Sequence, residues 1–373
     1  MLTTILIFLV ILSLLVFAHE LGHFFTAKKL GMKVDEFGFG FPPRALGIVK
    51  ENGKRRLVFG NKDRCENQTV YSVNWIPLGG FVKIHGESGE MKADPRSFAS
   101  RPIWQRFAVL VAGVFMNLVL AAVLLGIGFG VGLPSIVDET VPSSAILSQE
   151  SIRVMSVLAD SPAALAGIQP GDELLSLDDK IFTSANEASG YIRSREGNEV
   201  KFLIQRGEDA LSFSITAAEV SSHEGKIVGV GLVKTAMISY PWYLAGVKGV
   251  VATFVFTWEV VKAFGGLLWN LAVHQEVSAD LSGPVGIAVM TGQAAALGFA
   301  YLLQFAAILS INLAVVNILP FPALDGGRLI FLFVEKLRGR AADEKWEGLV
   351  HNLGFIVLIL LIVVVTVRDF IKL

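Results

Sequence analysis

His19-Glu20-Leu21-Gly22-His23 closes an apolar run that begins at Leu2, and few folds accommodate both features. Histidines at i and i+4 share one helical face, one turn apart, where both can grip a single metal ion. Glu20 lies beside them, placed to take a proton from a water on that metal. From Ile5 to Ala18 the run offers almost no polar groups. The cluster therefore sits at membrane depth, where ionisable groups are costly and usually functional. Two of the six histidines in the chain fall in this one turn. The first reading is hydrolytic chemistry inside a bilayer.

Composition supports a membrane setting. Of the 373 residues, 53% are hydrophobic and 17% charged, more apolar than an ordinary soluble domain. A net charge of −1 argues against nucleic acid as a main partner. The single cysteine, Cys65, rules out an internal disulfide framework and a Cys-based zinc site. Four stretches reach the length of about 20 residues that crosses the hydrocarbon core: Leu2 to Phe25, Phe107 to Leu133, Tyr301 to Leu319 and Leu349 to Val367. A fifth stretch, Trp242 to Val273, is interrupted by Lys248, Glu259 and Lys262. Its large apolar residues recur at helical spacing, which predicts an amphipathic helix lying along the interface. The expected fold is an α-helical polytopic membrane protein of about four transmembrane helices. The first is not expected to be a cleaved signal, since no Lys or Arg precedes it and no small-x-small site follows.

Basic residues set the orientation. The segment between the first two spans carries 15 Lys and Arg, from Lys28 to Arg106, and loops this basic stay in the cytoplasm. The connector with Lys336, Arg338, Arg340 and Lys345 returns there too, which agrees with four spans. The stretch after the second span then lies outside. Expected boundaries are 1–134 for the first membrane part, 135–237 for an extracytoplasmic insert, 238–290 for the interfacial helix and linker, and 291–373 for the second membrane part.

Within the insert, Ile152–Val157, Glu173–Leu177, Val200–Gln205 and Leu211–Ile215 read as short strands. Ser161 to Gly167 reads as a brief helix, capped by Asp160 or Ser161, with Pro162 in its first turn and Gly167 stopping it. Asn186 to Arg193 is a second helix candidate. The run from Ser161 to Asp178 closely resembles the helix–turn–strand signature of bacterial PDZ domains, mixed α/β folds that add extended peptides to a sheet edge. A β-rich spacer without a ligand is the plainer alternative. The sequence shows no clear carboxylate-binding loop, and the PDZ ligand is open.

A second constellation ends the third span: Asn317-Ile-Leu-Pro320-Phe-Pro322-Ala-Leu-Asp325-Gly326-Gly327-Arg328. Two prolines break the helix and paired glycines let the backbone turn beside an acid. Asp325 is the only carboxylate between Asp280 and Glu335. Its oxygen would complete a His₂-carboxylate zinc site with a fourth position left for water.

HExxH in the first span, LDGG in a later one and a PDZ insert between them together resemble the site-2 proteases. More narrowly, the chain is similar to bacterial regulated intramembrane zinc metalloproteases that cut anti-sigma factors. Phe37-Gly-Phe-Gly-Phe-Pro-Pro-Arg44, Ile76-Pro-Leu-Gly-Gly-Phe-Val-Lys-Ile84 and Gly283-Pro-Val-Gly-Ile287 extend the likeness over nearly the whole chain. The resemblance implies that His19, His23 and Asp325 bind Zn2+, and that Glu20 is the catalytic general base. It implies a bacterial inner-membrane location with the PDZ domain on the periplasmic side. The implied substrate is a single-span protein, such as a pre-trimmed anti-sigma factor or a signal-peptide remnant. One PDZ insert stands where the best-known enterobacterial relative has two in tandem, and His85 has no assigned role.

A helical substrate hides its carbonyls, so it must unwind before it can be cut. Gly79 and Gly80 permit close backbone approach, and Phe81-Val-Lys-Ile alternates like an edge strand able to clamp an extended substrate. The family has a membrane-re-entrant hairpin at this position; a simple cytoplasmic hairpin is the alternative. Asn317 either anchors substrate backbone or bonds carbonyls freed near Pro320. A membrane scaffold would need none of the metal-spaced residues, and a metal transporter would show several polar spans or repeated halves. Neither explains Glu20 between two such histidines.

Overall fold

Apolar length dictates most of the architecture. The computed structural model describes residues 2–51, 53–60, 68–87, 91–137, 144–195, 197–207, 209–220, 223–273, 283–340 and 344–372, so Cys65 lies outside the described residues. In chain order, α1 (Leu2–Lys29) leads into β1 (Val34–Glu51), β2 (Lys54–Val58), β3 (Val70–Ile84) and α2 (Ile103–Val131). Then come β4 (Leu133–Ile136), β5 (Ile146–Val157), α3 (Pro162–Ala166), β6 (Glu173–Leu177) and α4 (Ala185–Ser194). β7 (Glu199–Arg206), β8 (Asp209–Thr216), β9 (Ala218–Val220), β10 (His223–Ile227) and β11 (Val230–Ser239) complete the strands. The chain ends with α5 (Trp242–Val273), α6 (Pro284–Leu297), α7 (Phe299–Ile318), α8 (Asp325–Arg338) and α9 (Glu344–Lys372). Two compact units result: residues 1–128 with 246–373, and residues 129–245.

In the first unit, α1, α2, α7 and α9 coincide with the four expected spans. α5 differs from expectation in one respect: Trp242–Leu271 is also long and apolar enough to cross a membrane, giving five such helices among the described residues. Glu259 and Lys262 pair with each other on its exposed side at 2.7 Å, which masks both charges and keeps the run apolar on average. α6 fixes where the chain ends lie. Gly292 of α6 packs on Thr4 at the start of α1, and Asp369, in the last turns of α9, accepts the N–H groups of Gly283 and Gly286 at 3.1 and 2.7 Å. Both ends of the chain therefore sit at one end of this bundle.

The loop between α1 and α2 folds into a sheet with an unusual pairing. Phe37 pairs with both Val82 and Tyr71, and Gly38 with both Phe81 and Ser72. Across the sheet the order is β2, the second half of β1, the first half of β3, the first half of β1, then residues 80–84 of β3. Residues 80–84 form the outer edge, with the Val82 N–H donating to Glu20 and the Ile84 N–H to Glu87. One face carries Phe39, Leu46, Ile48, Leu57, Tyr71 and Val73, all exposed, while Val49, Val58 and Val70 are buried on the other with the Arg44–Glu36 ion pair. Apolar side chains turned outward in this way suit contact with lipid rather than water.

The second unit is a six-stranded sheet in the order β4-β11-β5-β6-β7-β8, with α3 and α4 against it. Ser161, not Asp160, caps α3 by accepting the Ala164 N–H, Pro162 opens it, and Gly167 closes it at φ 91°, as capping physics requires. Phe202, Leu177, Ile204 and Val200 fill the core. Strands β5 to β8 and helix α4 lie where the sequence placed strands and a helix; β4 and β9 to β11 had no sequence counterpart. Asp172, 2% exposed, accepts two bonds from Arg206 at 2.7 Å and one from the Gln169 N–H at 2.8 Å. Burial pushes its carboxyl up, but those bonds more than offset this and leave it below its ordinary value. A depressed carboxyl stabilises the fold above its unfolded pKa of about 4 and loses that contribution as pH falls through the folded value. Asp172→Ala is expected to destabilise this unit by about 2–3 kcal/mol at neutral pH. The deficit should shrink below about pH 4, as read by calorimetry of the detergent-solubilised chain.

Candidate metal centre

α1 runs unbroken through the HExxH residues to Lys29, so His19 and His23 do share a face, with ring centroids 4.7 Å apart. Both are buried. After α7 ends at Ile318, the chain leaves helical geometry and restarts with Asp325 as the first residue of α8. That break delivers the carboxylate to the histidines. Asp325 Oδ2 lies 3.0 Å from His19 Nε2 and 3.3 Å from His23 Nε2, and the two Nε2 atoms are 3.1 Å apart. Among the described residues this is the set of His, Cys and carboxylate groups close enough to share an ion.

The triangle fits zinc. A tetrahedral zinc with bonds of about 2.0–2.1 Å keeps its ligand atoms about 3.3 Å apart. His23 Nδ1 lies 2.8 Å from the Val109 carbonyl and must donate to it, which leaves Nε2 as a lone pair facing the centre. Asp325 Oδ2 is buried without a hydrogen-bond donor. Acceptors converging on one buried point call for a cation.

A profile of peptidase family M50 matches residues 7–361. The chain belongs to that family. It is 35% identical over 361 residues to a presumed zinc metalloprotease of Clostridium perfringens, with 96% of each chain covered. It is 30% identical over 450 residues to the zinc metalloprotease RasP of Geobacillus kaustophilus, covering 99% of this chain and 98% of that one. The regulator of sigma-W protease RasP of Bacillus subtilis is 29% identical over 451 residues, with 98% of each covered. Among solved structures, the PDZ domain of an SdrC-like protein from Listeria monocytogenes aligns at 27% identity, covering 23% of this chain and 92% of that one, with a TM-score of 0.21. This M50 peptidase is a zinc metalloprotease of the site-2 type and a multi-pass membrane protein.

The M50 centre draws on residues that carry no motif. Asn117 of α2, fully buried, has its side-chain amide 3.2 Å from His19 Nδ1, while its Oδ1 has no partner. Zinc ligation through Nε2 would put the His19 proton on Nδ1, and turning the Asn117 amide end for end would make Oδ1 its acceptor. Asn317 places its amide 3.5 Å from the same nitrogen, so it stands beside His19 rather than at Pro320. Asn117 had a sequence signal, as the lone strongly polar residue from Phe107 to Leu133. Val109 had none, because it acts through its carbonyl.

Gly113 of α2 makes room for the imidazoles. A Cβ there would fall 2.4 Å from His23 Nε2 and 2.7 Å from His19 Cε1. Gly113→Ala is expected to displace a ligand and lower zinc retention and proteolysis about 10-fold or more, measured by metal analysis after dialysis and by initial rate.

The sheet edge reaches the same place. Ser13, deep in α1, donates to the Pro77 carbonyl and accepts the Gly79 N–H, each at 3.2 Å. Gly79, at φ 69°, and Gly80 are pressed against Val16 and Phe17, so their lack of side chains serves contact with α1. Farther along, the Val82 N–H donates to the Glu20 carboxylate at 3.0 Å. Antiparallel pairing alternates inward and outward groups, so Gly80, Val82 and Ile84 present their backbone outward while Phe81 pairs inward with Gly38. His85 bridges Asp35 and Asp94 at 3.3 and 3.4 Å, pinning the end of this strand.

The insert holds a separate hollow. A cavity of about 740 Å3 lies between α4, at Ser189, Ile192 and Arg193, and the backbone from Lys226 to Gly231 entering β11. This 226–231 segment, the turn from β10 into β11, was not recognised in the sequence because its neighbours along the chain gave no strand signal.

Proposed function

We propose that this protease cuts a membrane-spanning segment of a single-span protein at the His19–His23–Asp325 centre, with Glu20 as general base. The convergence of the three candidate ligand atoms beside the outer edge of the sheet, both at the membrane depth of α1, carries the reading. Bound zinc supplies the Lewis acidity that makes water acidic near neutral pH and polarises a carbonyl. Glu20 takes the proton of the attacking water and returns it to the departing amide nitrogen. The Val82 N–H holds Glu20 in place, and the Val109 carbonyl and Asn117 hold the imidazoles in the tautomer that ligation needs.

Unwound substrate adds to the outward N–H and carbonyl of Gly80 and the outward carbonyl of Val82, the Val82 and Ile84 N–H groups being held by Glu20 and Glu87, with Asn317 beside His19 bonding its backbone. The apolar outer face of the sheet supports a re-entrant position. Four crossings, by α1, α2, α7 and α9, agree with chain ends that share one end of the bundle. α5 then lies along the interface. The basic loop after α1 faces the cytoplasm of a bacterial inner membrane, and the insert faces the periplasm. The Bacillus relative is named for sigma-W regulation, and an anti-sigma factor already trimmed outside is the proposed substrate class.

In the insert, an extended peptide adds to β11 opposite α4, as in PDZ domains. The domain admits substrates by ectodomain size. Deletion of residues 135–234 is expected to let uncut, full-length substrates be cleaved in proteoliposomes, whereas the intact chain cleaves only trimmed ones. Continued resistance of intact substrates would remove the filter while leaving the metal centre untouched.

A further inference from the structure

The loop that delivers Asp325 is held by a side chain from another helix. Residues 319–324 belong to no helix, and Ala323 adopts φ 80°, a left-handed conformation that a residue with a Cβ resists. Such a conformation persists only where its surroundings impose it. The Ala323 N–H, two residues before the zinc ligand, donates to His351 Nδ1 of α9 at 3.2 Å. One turn further along the same face of α9, Gly354 lies directly on Pro322, where an added Cβ would come within 2.3 Å of the proline ring and 2.7 Å of its carbonyl. His351 and Gly354 thus form one contact, spaced i and i+3.

Beyond this contact and the Asp369 bonds to Gly283 and Gly286, α9 has few ties to the bundle. Its apolar length is almost entirely exposed. Between Glu347 and Thr366 its polar residues are His351 and Asn352 alone. An ionisable residue in a span calls for a partner, and the partner here is the backbone of the ligand loop. An amide can only donate, so His351 accepts at Nδ1 and carries its proton on Nε2.

We propose that His351 is a positioning residue of the protease, acting through the Ala323 N–H to hold the Leu319–Leu324 loop so that Asp325 meets His19 and His23. This rests on the zinc assignment of those three residues. Loss of a partner that orients a ligand typically costs 10–100-fold in metal affinity or activity. Leucine at 351 keeps the helix apolar and removes the acceptor; asparagine restores an acceptor near the place of Nδ1.

The test is zinc retention by the purified full chain in detergent against a graded series of chelator, for wild type, His351→Leu and His351→Asn, with thermal unfolding and substrate KM recorded alongside. His351→Leu is expected to lose zinc at about 10–100-fold lower chelator and to show a lower kcat, with KM and the unfolding of the zinc-free chain unchanged. His351→Asn should recover most of both losses. A leucine variant that holds zinc as tightly as wild type, or an asparagine variant no better than leucine, would overturn the assignment. A wild type that takes up no zinc would instead overturn the metal centre, and the role of His351 with it.

Discussion

Glu20→Gln is expected to abolish proteolysis while leaving one zinc per chain. Glu20 stands outside the candidate ligand set of His19, His23 and Asp325 and is bonded to the Val82 N–H. Glutamine keeps an oxygen that can accept that N–H, so the sheet edge stays against α1. What disappears is the capacity to take a proton. General acid–base assistance is worth about 10²–10⁴ in rate, equivalent to roughly 3–5 kcal/mol of barrier. Initial rates on a single-span substrate, with zinc measured on the same samples, check both halves. Zinc lost together with activity would make Glu20 part of the coordination shell instead.

Asp325→Ala should behave in the opposite way and lose the metal. Two histidines one helical turn apart remain, and a tetrahedral site with only two protein ligands holds zinc weakly. The expected loss of affinity exceeds the roughly 100-fold upper range seen for an outer partner, and activity should fall below detection. Metal analysis after dialysis separates this variant from Glu20→Gln, which retains its ion. Zinc retained at wild-type strength by Asp325→Ala would mean that another group completes the centre.

The parts of the site legible in the sequence are those whose chemistry demands a fixed local spacing. His19, Glu20 and His23 lie within one turn, and Asp325 stands alone among apolar neighbours, so each announced itself. Other contributions come from across the fold. The Val109 carbonyl and the bare backbone of Gly113 act through position in α2, which no local pattern encodes. Val82 was hidden for a different reason: only the ladder register decides which N–H groups face out, and β1 pairs twice with β3. Gly79 and Gly80 drew notice as approach points for substrate, yet their near neighbours are Val16 and Phe17. β11 was missed because its burial does not alternate, being paired with β5 along its length and with β4 at its end. His351 drew no notice in the sequence because its partner is the Ala323 N–H, which only the break at Pro320–Pro322 brings against it.

Zinc held between α1 and α8 is proposed to cut peptide bonds inside a membrane segment. The most direct test is product mass from a single-span substrate incubated with the zinc-loaded chain in detergent, with Glu20→Gln as control. One new terminus within the substrate's apolar segment is expected, formed by wild type alone. Cleavage only outside that segment, or equal cleavage by Glu20→Gln, would contradict it.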